Sequence, residues 1–353
     1  MLKLTNTALD SPIRLIACAA FCLALTFFAF APRLWLMTKP NPGTYQWDRA
    51  ATYLKQCEDP FRRDVEAAML WRILPPLASK ALGLRSHAPL LIPWIGLALL
   101  AWYAALTLGR VCNQAGFVCG GKLLVTTSSG GLVPFHWLGL NDAWVWLALL
   151  AVSFGKARWA LPLASLLAPW VDERFIIGLP LALVVRTHDC SETLRWKSAA
   201  VPLLWLAPYV AIRLGLSFNP TVSRATTGFL TSHVRQVAVI LPLAPIGWWM
   251  GLRIGWLPAA YALRHQRWPL RTVVFATAAA SLTLAADISR SIAILLPLVV
   301  LGIREYSREH PEEAPRKMPL LGTVALVIPA AHVVYTKIYP ISPLPIELFR
   351  LFR

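Results

Sequence analysis

The stretch from 88 to 109 reads APLLIPWIGLALLAWYAALTLG and holds no charged side chain. A helix needs about 20 consecutive apolar residues to cross the ~30 Å hydrocarbon core of a bilayer. An uncharged apolar run of this length therefore predicts a transmembrane helix. Similar apolar blocks lie on both sides of it, the first at residues 15–37. The number of such blocks decides the class of the fold.

The composition of the whole chain agrees with a membrane protein. Of its 353 residues, 57% are hydrophobic and 14% are charged. Soluble domains usually carry about 25% charged residues. We predict an all-α polytopic bundle that forms a single integral membrane domain over residues 1–353. About eleven spans are expected on length and hydropathy, with approximate cores at 15–37, 88–109, 121–139, 143–156, 158–171, 174–186, 198–215, 237–258, 270–286, 288–303 and 318–336.

The distribution of Lys and Arg predicts the orientation of the bundle. With the N-terminus inside, the basic loops 186–197, 253–271 and 304–317 also lie inside, as the positive-inside rule requires. We therefore expect a multi-pass protein of the bacterial inner (cytoplasmic) membrane with a cytoplasmic N-terminus. The net charge of +17 is then largely a topological signal, and part of it can meet anionic headgroups. Membrane lipids are the expected partners, and nucleic acid is not.

This orientation gathers acids on the outer face of the bundle. They would come from four separate connections between spans, and they are Asp48, Asp59, Asp142, Asp172, Glu173 and Asp287. The acids of the inner loops lie among many basic residues instead. Acids contributed by several connections to one face are typical of a site that a helical bundle supports. Next to Arg174, however, Asp172 and Glu173 are interpreted as plain loop charge.

The first outer loop, residues 38–87, is long and strongly charged. Its segment DRAATYLKQC (48–57) has apolar residues at helical spacing, which predicts a short helix on the membrane surface. Pro60 ends that helix, because a proline disfavours helical conformation in the residue before it. RRDVEAAMLWRILPPLASKALGL (62–84) predicts a second amphipathic interfacial helix that two prolines interrupt. In the simplest interpretation, the charges of both helices are only solvated.

The order of short motifs resembles the GT-C class of polytopic membrane glycosyltransferases. WDR at 47–49, DPF at 59–61 and RILP at 72–75 follow the first span. LNDAWVWLALL (140–150) and AADISRSIAILLPLV (285–299) then place acids at the outer ends of later spans. In that class, the first outer loop carries a catalytic acid, and interfacial helices cover the groove where a polyprenyl-phosphate sugar enters. The resemblance covers most of the chain as architecture.

The resemblance implies transfer of a sugar from a polyprenyl-phosphate donor to an acceptor at the outer, periplasmic face. Such chemistry needs a carboxylate that accepts the proton of the acceptor hydroxyl, and arginine suits the leaving phosphate. It implies Asp48 as the catalytic base, with Asp59 as the rival. The candidate substrate-binding residues are Arg49, Arg62, Arg63, Arg72, Asp142, Asp287 and Arg290. Since Asp287 and Arg290 share one helical face, a plain ion pair between them is an equal expectation.

The segment LLVTTSSGGLVPFHW (123–137) favours two other functions. It is too polar for a simple span, and broken helices of this kind occur in transporters. A small lipid or solute transporter, with His136 and Asp142 as polar groups of the pathway, is therefore the alternative. A non-catalytic envelope assembly protein is the third possibility. The location of nearly all acids in loops or at the ends of spans favours chemistry at the interface.

The sequence assigns no metal site and no certain cofactor. The first outer loop lacks the Asp-x-Asp pair that many metal-using members of the class have, although a divalent metal stays open. Cys18 and Cys22 are expected to be small packing residues of the first span. A zinc site on the inner side does not match a standard ligand spacing, its possible ligands being Cys112, Cys119, Cys190 and His188.

Overall fold

The computed structural model describes residues 11–38, 43, 45–62, 64–65, 69–188, 192–217, 237, 239–265, 268–284 and 287–353. The described helices are α1 Pro12–Ala29, α2 Trp35–Thr38, α3 Tyr45–Glu58, α4 Leu74–Ala81, α5 Leu91–Gly109, α6 Ala115–Thr126, α7 Ser129–His136, α8 Asp142–Phe154, α9 Ala160–Leu167, α10 Arg174–Thr187, α11 Glu192–Ser217, α12 Ala244–Leu252, α13 Trp256–His265, α14 Trp268–Leu284, α15 Ile288–Ser291, α16 Leu296–Glu309, α17 Ala314–Val327 and α18 Leu344–Phe352. Strands β1 Ala330–Val334 and β2 Lys337–Ile341 form an antiparallel hairpin in which Ala330 faces Ile341.

The prediction of an all-α fold is confirmed for the described residues, apart from this hairpin. An eleven-span bundle is not confirmed. Only α1 and the segment Ala88–Gly109 are, among the described helices, long and apolar enough to cross a membrane. The other apolar blocks form helices shorter than the ~20 residues that a crossing requires, apart from α11, of which only the part Ala200–Gly215 is apolar. The inner-membrane location and the orientation stay predictions.

One long buried stretch of the described residues runs through α15 and the first part of α16, over residues 288–303. The 3₁₀ turn Ile292–Leu295 joins them, and all four of its side chains are buried. These residues form one continuous apolar core with the inner faces of α5, α6, α8 and α10. A segment that is apolar all round is stable only when other elements surround it. The core therefore places the N-terminal end of α15 at the centre of one end of the bundle.

Two close helix contacts depend on glycine. At Gly120 of α6, a Cβ atom would lie 2.2 Å from the carbonyl oxygen of Met318 in α17. At Gly302 of α16, a Cβ atom would lie 1.8 Å from the carbonyl oxygen of Pro258 in α13. Small residues let helix backbones approach to distances that larger side chains forbid. Both helix pairs are consequently held at a separation that only glycine allows.

The first outer loop follows the sequence prediction in one half only. Its first helix is confirmed as α3, although its location on a membrane surface stays a prediction. The second helix is much shorter than predicted, because α4 begins only at Leu74. Pro75 and Pro76 open α4, where proline is well tolerated, and they do not interrupt a longer helix. Met69, which lies within the predicted second helix, is buried.

Two other predicted spans differ from continuous helices. The break expected in 121–139 is confirmed, since α6 ends at Thr126 and α7 begins at Ser129. The prediction of a span at 318–336 is wrong in its second half, where β1 replaces the helix. The sequence AAHVV is apolar in either conformation, and its pairing partner lies beyond the predicted span. The apolar character of AAHVV therefore reflects burial of strand β1, and it does not indicate a membrane span.

Arg253 was assigned to a basic inner loop, and the structure buries it. Its guanidinium donates to the carbonyl oxygens of Thr127 and Ala325, both 2.8 Å away, and to that of Ile328. Carbonyls at the C-terminal ends of helices have no partner within the helix. A single arginine thus satisfies the ends of α6 and α17 together, which is a structural role.

Candidate functional site

Eight charged side chains of alternating sign, with a histidine beside the last of them, form a continuous row at one end of the bundle. We call this set the charge row, and its members in spatial order are Arg213, Glu173, Arg72, Asp172, Arg174, Asp142, Arg290, Asp287 and His332. They come from the first outer loop, the starts of α8 and α10, the helices α11 and α15, and strand β1. Segments that lie far apart in sequence therefore meet at one site.

Arg174 and Asp142 occupy the centre of the row. Arg174 donates from its Nη2 atom to Asp142 Oδ1 at 2.7 Å and to Asp172 Oδ2 at 2.6 Å. Its Nε atom donates to Asp172 Oδ1 at 2.9 Å, which makes a two-pronged pair. On the other side, Arg290 Nε lies 2.7 Å from Asp142 Oδ2. The two oxygens of Asp142 are therefore shared between two guanidinium groups.

Local backbone structure fixes the acids of the row. The backbone N–H of Arg174 donates to Asp172 Oδ1 at 3.0 Å, so this carboxylate holds the first turn of α10. Asp142 is the first residue of α8, where the helix dipole favours a negative charge. Asp287 immediately precedes α15 and accepts from Arg290 Nη1 at 2.7 Å. Each acid thus belongs to a helix start, and the bundle brings the three starts together.

The row continues into the first outer loop. Arg72 Nη2 lies 3.0 Å from Asp172 Oδ2, and Arg72 Nε lies 3.6 Å from Glu173 Oε2. Glu173 also accepts from Arg213 of α11 at 3.0 Å. The Arg213 guanidinium stacks on the ring of Trp71, 4.3 Å from its centroid, in a cation–π contact. This end of the row fastens the segment before α4 onto the bundle.

At the opposite end, the row meets the hairpin. His332 of β1 is buried, and its Nε2 atom lies 3.9 Å from Asp287 Oδ1. Its ring packs edge-on against Trp137, with 4.4 Å between the centroids. Ser289 accepts the backbone N–H of Val333 at 3.0 Å, which holds β1 against α15. The hairpin therefore closes the row on the side away from the first outer loop.

Burial and pairing together set the charge state of the row. Desolvation alone would raise the pKa of a carboxyl group. At Asp172 the charges of Arg174, Arg72 and Arg290 outweigh it and hold the pKa well below its usual range. At Asp287 desolvation is likewise outweighed, chiefly by Arg290, and the pKa falls to about 2. Both carboxylates are ionised at neutral pH, and removing one partner would leave an uncompensated buried charge.

A narrow pocket lies against the row, and its free volume for a water-sized group is about 10 Å³. Its polar wall consists of Tyr53, Arg72, Asn141, Asp142, Asp172 and Arg290. A free volume of this size is about the minimum that holds one water molecule, so a phosphate headgroup can enter only if side chains of the wall move. Arginines in the wall offer planar donors that match phosphate or carboxylate. The arrangement can therefore bind an anion beside ionised carboxylates.

The structure brings together four of the candidate residues named from the sequence: Arg72, Asp142, Asp287 and Arg290. The expected pair of Asp287 and Arg290 is present, and Arg290 also contacts Asp142. Arg49 lies near this group, since its charge contributes to the lowered pKa of Asp287. Arg49 and Tyr53 are four residues apart on α3 and share the face toward the pocket.

Other candidates lie outside the row. Asp48 is exposed on α3, and its Oδ1 atom accepts from the backbone N–H of Gly43 at 3.2 Å. Asp59 is exposed and accepts from the N–H of Phe61 at 3.3 Å, as expected for a residue that shapes a turn. Arg62 pairs with Asp64 at the surface. The predicted binding residue Arg63 lies outside the described residues.

The interpretation of Asp172 and Glu173 as plain loop charge is wrong. Asp172 is 3% exposed and Arg174 is 6% exposed, and both form the centre of the row. Sequence reasoning also missed Arg213 and His332, because each lies within an apolar segment far from the other members. For Asp172 and Glu173, however, the sequence did contain a signal. Asp142, Asp172 and Asp287 all lie just before a long apolar stretch of the chain.

The cysteines form a different group from the one considered in the sequence. The Sγ atoms of Cys18, Cys22 and Cys119 all lie within 4.8 Å of one another, and Cys18 and Cys119 are paired as a disulfide. Cys22 therefore lies beside two other cysteines, whereas the sequence predicted only a packing role for it in the first span. Of the zinc ligands considered above, Cys112 is a free thiol away from this group, and Cys190 lies outside the described residues.

Comparisons with known proteins leave the family open. No family model, no curated protein and no solved structure matches this chain.

Proposed function

We propose that the protein is a membrane glycosyltransferase that moves a sugar from a polyprenyl-phosphate donor to an acceptor at the outer, periplasmic face. The observation that carries the proposal is the pocket beside the charge row, in which Arg72 and Arg290 line one wall. A phosphate leaving group needs compensating positive charge in a site that excludes water. The sequence motifs that resemble the GT-C class are the same ones that supply Arg72, Asp142 and Arg290.

Arg72 is the proposed phosphate ligand of this site. Its side chain is 18% exposed, so part of the guanidinium reaches the pocket while Asp172 and Glu173 hold the rest. Arg290 is buried and more tightly held, which suits a fixed second charge. The acids act as positioning residues, because they keep two guanidinium groups aimed at one small volume. Preorganised charge of this kind costs no reorganisation during the reaction.

Asp48 remains the proposed base. A general base must be able to take up a proton, and the carboxylates inside the row are poor acceptors because arginine stabilises their ionised form. Asp48 forms no ion pair among the described residues, and its described partner is a backbone N–H. Its helix, α3, also supplies Tyr53 to the pocket. Bound substrate would have to reach the exposed side of α3 for this role.

Turnover in proteoliposomes tests the proposal. We expect Asp48→Asn and Arg72→Gln to lower glycosyl transfer from a polyprenyl-phosphate sugar by about 100- to 10,000-fold, the usual contribution of a general base or a positioned charge. Asp59→Asn and Arg62→Gln are the matched controls, since both residues are charged and lie in the same loop outside the row. The controls should retain wild-type turnover.

Two results would overturn this function. Equal turnover in all four variants would show that neither Asp48 nor Arg72 takes part in the reaction. Movement of the donor lipid across the bilayer without a glycosylated product would make the protein a transporter. Both results require that the variants fold, which their melting curves would establish.

A further inference from the structure

Three cysteine sulfur atoms that meet between α1 and α6 invite a second assignment. Cys18 and Cys22 are one turn apart on α1, so their side chains share a face. Cys119 of α6 meets them, and all three Sγ atoms lie within 4.8 Å of one another. The disulfide between Cys18 and Cys119 involves two of the three sulfurs and leaves Cys22 as a buried thiol.

Lys122 supplies the second observation. It lies one turn after Cys119 on α6 and is 0% exposed. Its ammonium donates to the carbonyl oxygen of Cys18 at 3.3 Å and to that of Ala19. Among the described residues it has no carboxylate partner. A buried ammonium without a counter-ion is strongly unfavourable, so a negative charge is expected beside it.

The three sulfurs are the available source of that negative charge. A disulfide and a neutral thiol carry none. Three thiolates around one divalent cation carry a net charge of −1, which the ammonium of Lys122 brings to zero. Thiolates are preferred ligands of zinc, and three protein ligands leave a fourth tetrahedral position open. Charge balance therefore selects a divalent cation over a monovalent one.

We propose that the reduced protein binds one Zn²⁺ ion through Cys18, Cys22 and Cys119, with Lys122 neutralising the site. Reduction of the disulfide by a dithiol gives two thiols and the oxidised dithiol. Binding of Zn²⁺ to the three thiols then releases three protons. The site joins α1 to α6, and it is independent of the charge row and of the proposed function.

The experiment uses the full-length protein, reduced and freed of metal, in detergent. One equivalent of Zn²⁺ should protect three thiols from alkylation, which mass spectrometry of wild-type protein counts without any variant. Elemental analysis should find one zinc per chain. Cys22→Ser should lose at least ten-fold in zinc affinity, and Lys122→Met should also weaken binding because the site would no longer be neutral.

Cys112→Ser is the matched control, since Cys112 is a free thiol outside the group, and it should bind zinc like the wild type. Co²⁺ in place of Zn²⁺ should give the intense visible absorption of a tetrahedral thiolate site. Zinc retained in Cys22→Ser, or no protection of thiols in the wild type, would overturn the proposal. The three cysteines would then be a structural disulfide between Cys18 and Cys119 with Cys22 as a free thiol beside it.

Discussion

Arg174 links two acids that belong to different helix starts. Its guanidinium contacts Asp142 and Asp172, and its backbone N–H is held by the same Asp172 side chain. A planar guanidinium with five donors can serve two carboxylates, whereas a lysine ammonium cannot reproduce this geometry. Arg174 thus begins α10 with its backbone and belongs to the charge row with its side chain. Buried pairs of this kind are costly to break, although they add little net stability when intact.

The acid sensitivity of the row provides a prediction at this scale. The pKa of Asp287 is about 2 in the folded protein and 3.8 for the ordinary group. A lowered pKa stabilises the fold above pH 3.8, and that contribution disappears as the pH falls through 2. At 1.36 kcal/mol per pKa unit, the loss is about 2 kcal/mol. Asp172 adds to it in the same direction.

Thermal unfolding between pH 7 and pH 2 measures this effect. The wild type should lose stability steeply below about pH 4. Asp287→Asn should be less stable than the wild type at pH 7 and approach it at pH 2. Asp48→Asn changes an exposed carboxylate outside the row and serves as the control, with a curve like that of the wild type. A curve for Asp287→Asn that stays parallel to the wild type at every pH would contradict the assignment.

At the scale of elements, close packing explains the position of the helices. α16 approaches α13 so closely that Gly302 leaves no room for a methyl group beside Pro258. α3 rests on the connection before α8, where Gly139 has φ +80° and a Cβ atom would lie 3.2 Å from the Cα atom of Ala50. This contact positions Tyr53 over the pocket. Glycine therefore acts both in the core and beside the candidate site.

Substitution of glycine by alanine tests the packing of α16. Gly302→Ala should destabilise the protein by about 2 kcal/mol, the usual cost of overpacking, because the Cβ atom would meet backbone. Gly215→Ala in α11 is the control, since nothing lies within 4 Å of its Cβ position. It should be neutral or stabilising by up to about 1 kcal/mol, as alanine is the better helix former. Equal melting temperatures of the two variants would contradict the close approach.

The helical character of the chain was predictable from the sequence, but the lengths of the individual helices were not. Thr and Ser followed by two glycines gave a local reason for the break between α6 and α7. The local signal for β1 was weak, because only two residues of AAHVV, Val333 and Val334, favour a strand, and its pairing with β2 depends on later residues. The segment before α4 was amphipathic by pattern, yet Gln56 of α3 donates to the Met69 carbonyl oxygen and draws it inward. Tertiary contacts decided the last two of these cases.

At the scale of the whole molecule, the charge row connects the first outer loop to the C-terminal hairpin. The sequence predicted an acidic outer face built from four connections, and four of its acids, Asp142, Asp172, Glu173 and Asp287, meet in the row. Their pairing with arginines from other elements could not be read from the chain, since it depends on how helix starts converge. Asp48 and Asp59 are exposed and lie outside it. The bundle thus places two arginines and two acids at the pocket.

Binding of a polyprenyl phosphate to the purified protein tests most directly whether the row forms a phosphate site. Fluorescence titration of a labelled lipid in nanodiscs would compare wild type, Arg72→Gln, Arg72→Lys and the control Arg62→Gln. We expect Arg72→Gln to weaken binding at least ten-fold, Arg72→Lys to weaken it less, and Arg62→Gln to match the wild type, because Arg72 lines the pocket and Arg62 pairs with Asp64 at the surface. Unchanged affinity in well-folded Arg72→Gln would contradict the account and leave the charge row a purely structural feature.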